Sequence, residues 1–165
     1  MQTNLLTGHI TSGLVIRVVG RGTMQESHAF QTAIESNIDD GVELIVFDAT
    51  DCEYLDSTFL GCLIGIQKAA EQSPLRRFVI AASKAKRVTL FCTSALDRFF
   101  DFVDVCPDLL DELESIDIDQ LGPVPLGRHI AGCHQRLADR GGRDAAAFRS
   151  IADRLTKELG DDAPT

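Results

Sequence analysis

No apolar run in this chain approaches the roughly 20 residues that a helix needs to cross a bilayer, so no membrane partner is expected. The opening MQTNLLTGHI has no basic segment followed by an apolar core, so no secretory signal is predicted and a cytoplasmic protein is expected. The five cysteines, Cys52, Cys62, Cys92, Cys106 and Cys133, form no C-x-x-C pair and are odd in number. That argues against a disulfide framework and for reduced, mostly buried thiols. There is no glycine-rich phosphate-cradling loop of the P-loop or kinase kind, so an ATP-using enzyme is not expected. Basic charge is scarce, with 16 Lys and Arg against 25 Asp and Glu. An acidic chain lacks the basic footprint that nucleic acid requires. Potential metal ligands are few: His129, Cys133 and His134 lie close in sequence but have no second cluster to complete a site, so neither a metal nor another cofactor is expected.

What is present is enough for a domain with an appendage: 165 residues, 44 % of them apolar. The charge is uneven. Residues 1–125 carry 9 basic and 19 acidic side chains, a net of −10, whereas residues 126–159 carry 7 and 4, a net of +3. This balance permits a basic protein partner for the body. The hairpin arginines read most simply as a solvated face, with anion binding or an alignment along the acidic body as alternatives.

Hydrophobic periodicity gives the organisation. His9-Ile10 and Leu14–Val19 read as strands, and Gly20-Arg21-Gly22-Thr23 breaks the second. Ser27–Ile38 has the spacing of a helix. Glu43–Phe47 reads as a strand buried on both faces, which implies a parallel neighbour. A short acidic loop, a helix over Ser57–Gln72, a buried strand over Phe78–Ala82 and a helix over Lys84–Phe91 with Val88 and Phe91 inward follow. A short strand over Phe99–Val103 and a helix over Asp108–Glu114 opened by Pro107 complete the body. Strands first, then alternation, predict an α/β fold: a small mixed β-sheet with helices mainly on one face and right-handed crossovers. Residues 116–125 are polar, with two prolines and a glycine, and read as a linker. Leu126, Ile130, Cys133 and Leu137, then Phe148, Ile151, Leu155 and Leu159, flank Gly141-Gly142 and form a C-terminal αα-hairpin signature. The expected division is 1–115, a linker over 116–125, and a hairpin over 126–160.

The most informative segment is LIVFDATDCEYLDSTFLG, Leu44 to Gly61. It places a hydroxyl pair, Ser57-Thr58, beside Asp56 at the start of a helix. A hydroxyl there either caps the helix or is an exposed acceptor for a phosphoryl group that the helix end stabilises. Asp48 and Asp56 flank the same loop, but acid–base or metal-assisted chemistry would need partners from other loops, and none is identifiable. Asp48 is expected at least to cap its turn.

In three places, in order, the sequence resembles the STAS family, whose best-known members are bacterial anti-sigma factor antagonists. These are Gly20-Arg21-Gly22, the strand-loop-helix element with Leu55-Asp56-Ser57-Thr58-Phe59-Leu60-Gly61, and Phe91-Cys92-Thr93-Ser94-Ala95-Leu96-Asp97-Arg98-Phe99. The resemblance covers about residues 8–115. It implies a STAS-like fold and a protein-binding module, not an enzyme and without catalytic residues, that is regulated by phosphorylation and works by partner switching. Ser57 would be the phosphoacceptor, with Thr58 second. Asp48, Asp51, Asp56, Ser57, Thr58 and Phe59 would form the partner surface. The partners would be an anti-sigma factor that is also a serine kinase of the histidine-kinase-like ATPase type, and a phosphatase. Phe59 departs from the family's usual glycine. It could restrict kinase access, contact a partner or simply pack against the loop. The alternative reading is a non-phosphorylated STAS scaffold that self-associates through the hairpin as a homo-oligomer.

Overall fold

The computed structural model describes residues 4–11, 13–73, 76–92, 95–118 and 121–160. Two strands open it, β1 (Leu5–Ile10) and β2 (Gly13–Val18), paired antiparallel. Gly20–Gly22 forms a short strand, β3, before α1 (Met24–Asp39). Then come β4 (Leu44–Asp48), β5 (Cys52–Leu55) and α2 (Ser57–Glu71). Next are β6 (Arg77–Ala81), α3 (Lys84–Arg87) with a π-helical continuation over Val88–Cys92, β7 (Asp101–Val103) and β8 (Glu114–Ser115). The hairpin is α4 (Pro123–Asp139) and α5 (Ala145–Gly160).

The main sheet has the order β7-β6-β4-β2-β1-β8, parallel from β2 to β7 and antiparallel at β1 and β8. The continuous apolar runs of β4 and β6 lie at its centre, as strands covered on both faces must. Leu14, Ile16, Ile45, Phe47, Phe78 and Ile80 point to one side, where they form the main core with Phe30 and Ile34 of α1 and Phe59, Leu63 and Ile64 of α2. Val15, Val46 and Val79 point to the other, under Cys106 and Leu109. The helices therefore sit on one face, as expected, and an irregular segment closes the second.

Four sequence expectations are corrected. Asp108–Glu114 is not a helix: it is irregular, with bends at Leu110 and Asp111, and crosses β1, with the Leu110 amide donating to the His9 carbonyl at 2.7 Å and Glu114–Ser115 pairing with Thr7 and Leu6. Gly20–Gly22 does not merely break a strand. It pairs parallel with β5, itself part of the expected acidic loop. Val88 is 60 % exposed, because the π-helical turn rotates it outward and places Leu90 and Phe91 inward. Finally, α4 begins at Pro123, inside the expected linker, and Ile116 and Ile118 of that linker pack against the core. Among the described residues no helix is long and apolar enough to cross a membrane.

Candidate functional site

Parallel pairing of β3 with β5 brings the N-termini of α1 and α2 side by side. Asp56 joins them. Its Oδ1 accepts the Phe59 amide of α2 at 2.8 Å, and its Oδ2 accepts the Met24 amide of α1, also at 2.8 Å. Asp56 is therefore the cap of α2, and the first-turn amide that Ser57 might have satisfied is already bonded. Thr23 caps α1 separately, in a capping box with Glu26.

Ser57 occupies the first helical position and its hydroxyl is directed elsewhere, to His134 Nε2 of α4 at 3.0 Å. His134 Nδ1 lies 2.8 Å from the Ile130 carbonyl, which only accepts, so Nδ1 carries the hydrogen. In the neutral ring Nε2 is then the acceptor, and Ser57 donates to it. The imidazole is 5 % exposed, with Phe148 of α5 behind it at 5.9 Å between centroids. The expected exposed alcohol is thus half-buried beneath the hairpin.

The other expected site residues divide into two groups. Asp51 is exposed and Asp56 half-buried beside Ser57. Asp48, Thr58 and Phe59 face inward, at 0 %, 4 % and 0 % exposure, which corrects their place on a partner surface. Phe59 packs its ring 5.0 Å from Phe30 and 5.6 Å from Phe47, so the bulky replacement is a core residue. Asp48 accepts from the Thr50 amide and hydroxyl and from Arg17 Nε at 2.6 Å. Burial alone would raise its carboxyl, but these donors outweigh it and hold it below the ordinary carboxylate range. Asp48 does bond the turn after β4, as expected, and its partners, Thr50 and Arg17, are different from those of Asp56.

Of the three potential metal ligands of α4, His134 is bonded to Ser57, while His129 Nε2 and Cys133 Sγ lie 3.7 Å apart. His129 Nε2 lies 2.7 Å from Ser27 Oγ of α1, and burial pushes its pKa down to about 4. Burial raises the Cys133 thiol to about 11. Among the described residues no cluster of three or more His, Cys, Asp or Glu could hold a metal ion. Sequence reasoning missed the role of His129 and His134, each hydrogen-bonded to a serine of the body. Their spacing of five residues on one helix was the only signal.

Searches by sequence find no matching family model and no matching curated protein. Solved structures do match. The anti-sigma factor antagonist SpoIIAA in its unphosphorylated form aligns with a TM-score of 0.51 at 19 % identity, over 62 % of this chain and 89 % of that one. An anti-sigma factor antagonist from Mycobacterium paratuberculosis aligns with a TM-score of 0.52 at 20 % identity, over 63 % and 87 %. The chain has the STAS fold. At this identity the likeness is one of fold. The part of the chain left over is consistent with the hairpin, an addition to the STAS body. Of the three resembling segments, the first two fall on β3 and on β5–α2 of that fold. In the third, Thr93 and Ser94 lie outside the described residues.

Proposed function

We propose that this chain is a cytoplasmic protein-binding module of the anti-sigma factor antagonist kind, switched by phosphorylation of Ser57. The observation that carries the reading is the division of labour at the start of α2: Asp56 caps the helix, so Ser57 presents a hydroxyl at a helix N-terminus without a capping duty. Helix N-termini favour anions, so a phosphate there is stabilised by its own chain. Thr58, almost fully buried, ranks behind. The chain acts as substrate, not enzyme. The serine oxygen attacks the γ-phosphorus of ATP held by the kinase, the hydroxyl proton departs and ADP leaves. The added charge, roughly −1.5 to −2, joins Asp51, Glu53 and Asp56 and repels an acidic or poorly paired partner surface. A phosphatase restores the alcohol.

A cognate anti-sigma kinase with radiolabelled ATP should label the wild type and leave Ser57→Ala unlabelled. Equal labelling of the two removes Ser57 from the reading. The alternative, a scaffold that self-associates through the hairpin, has less to rest on: Cys133 and Leu137, half of the α4 stripe, already pack in the chain's own core.

A further inference from the structure

We propose that the Ser57 face of α2 is a docking surface held in cis by α4, and that docking of α4 and phosphorylation of Ser57 exclude one another. The second half rests on the reading of Ser57 as the acceptor. The first half rests on packing alone.

Ser57, Gly61 and Gly65 recur every four residues and so lie along one face of α2. That face carries almost no side-chain bulk, and α4 lies in it backbone to backbone. A Cβ on Gly61 would meet the Cys133 carbonyl oxygen at 2.2 Å, and one on Gly65 would meet Arg136 Nε at 2.9 Å. One turn away, His134 closes over Ser57 at 3.0 Å. The imidazole is held from two further sides. Its Nδ1 is tied to its own helix, and Phe148 stands against its ring. A phosphoryl group, with a phosphorus and three further oxygens, does not fit into a hydrogen-bond length between two helices already in backbone contact. Its charge would also stand against the His134 residue, which is 5 % exposed. A docked α4 therefore shields the hydroxyl from a kinase, and a phosphorylated hydroxyl ejects α4. Such coupling is reciprocal by thermodynamic necessity. The hairpin is then the first partner that this module switches, and an incoming protein competes with it for the same groove.

Hydrogen exchange of the full chain, read by mass spectrometry, tests this. Ser57→Asp places charge at the first helical position, where acidic residues suit the helix itself, so the body should hold. Gly61→Ala drives a methyl into the Cys133 carbonyl without weakening α2, since alanine favours helix over glycine. Both should speed exchange of the α4 amides by about 5- to 150-fold, the usual range of coupling between sites, with β4 and β6 still protected. Gly132→Ala, in open space, should leave α4 as in the wild type, and Ser57→Ala, which removes the hydrogen bond to His134 without adding charge or bulk, should speed its exchange less than Ser57→Asp does. Wild-type protection of α4 in Ser57→Asp overturns the exclusion, and wild-type protection in Gly61→Ala overturns the groove. Should Gly61→Ala also loosen β4 and β6, Ser57→Asp decides alone. Release of α4 by Ser57→Asp in a protein that no kinase labels at Ser57 would sustain the groove and remove the phosphoacceptor instead.

Discussion

Asp56→Ala should cost the protein about 1.5–2.5 kcal/mol, although the residue is only half-buried. The figure follows from its two bonds. Loss of an N-cap costs about 1 kcal/mol, with a range of roughly 0.5–2. The second bond satisfies the Met24 amide, one of the orphan donors of α1 that the Thr23 capping box does not reach, and a hydrogen bond contributes about 0.5–1.5 kcal/mol net. Asparagine separates the two. Its oxygen can face the Phe59 amide and preserve the cap, but its NH2 group then meets the Met24 N–H, donor against donor. Asp56→Asn should therefore lose about 0.5–1.5 kcal/mol, the α1 share alone. Urea denaturation at neutral pH, with m-values checked for constancy, measures both. If Asp56→Asn is as stable as the wild type, Asp56 does not tie the two helix ends together. If Asp56→Ala is as stable, it does not cap α2, and the argument that frees Ser57 from capping fails with it.

Truncating Phe59 to alanine should cost about 3–5 kcal/mol, as loss of a buried ring does, because the ring fills the space between Phe30 and Phe47. A loss below about 1 kcal/mol in thermal or urea unfolding would put the ring at the surface, where loss of a side chain has little effect. Acid sensitivity should be traceable to His129. Its folded pKa of about 4 lies below the ordinary histidine value of 6.5, so between these limits the unfolded chain binds a proton that the folded chain refuses. Its stabilisation is thus complete above about pH 6.5 and is lost as pH falls towards 4, by about 1–3 kcal/mol after allowance for partial solvation. His129→Gln should flatten the pH dependence of unfolding free energy across that window, and an unchanged slope would refute the assignment.

The parts of the fold visible in the sequence are those with strong local signals. The apolar runs of β4 and β6, the start of α2 at Ser57 and the two stripes of the hairpin each carry a period or a cap that local physics reads directly. The misreadings share a different cause. DLLDELES after Pro107 has the composition of a helix, yet Val15, Val46 and Val79 need a cover, and Cys106 and Leu109 provide it from an irregular segment. Tertiary demand overrides local propensity there. β5 is four residues long, and what makes it a strand is a partner, Gly20–Gly22, thirty residues earlier. The same holds at the site. The place of Ser57 at a helix start was legible because a helix start is local, whereas the cover over it comes from His134, 77 positions away, and no spacing within the body hints at that.

The charge pattern suggested that a basic hairpin might be drawn to an acidic body, but the contact is of another kind. Arg128, Arg143, Arg149 and Arg154 are exposed, and among the described residues no ion pair joins hairpin to body; Arg149 approaches Asp139 within the hairpin at 3.9 Å. Arg140 instead lies over the Phe99 ring at 3.9 Å, and Cys133 and Leu137 enter the main core. Apolar burial is insensitive to moderate salt, whereas exposed charges are screened beyond roughly 10 Å at 0.1 M. A change in ionic strength therefore alters how a charged partner approaches but not how firmly α4 sits. Releasing α4 needs an event inside its contact with the body, and of the two serine hydroxyls bonded to its histidines, Ser27 is fully buried whereas Ser57, on α2, is half-buried.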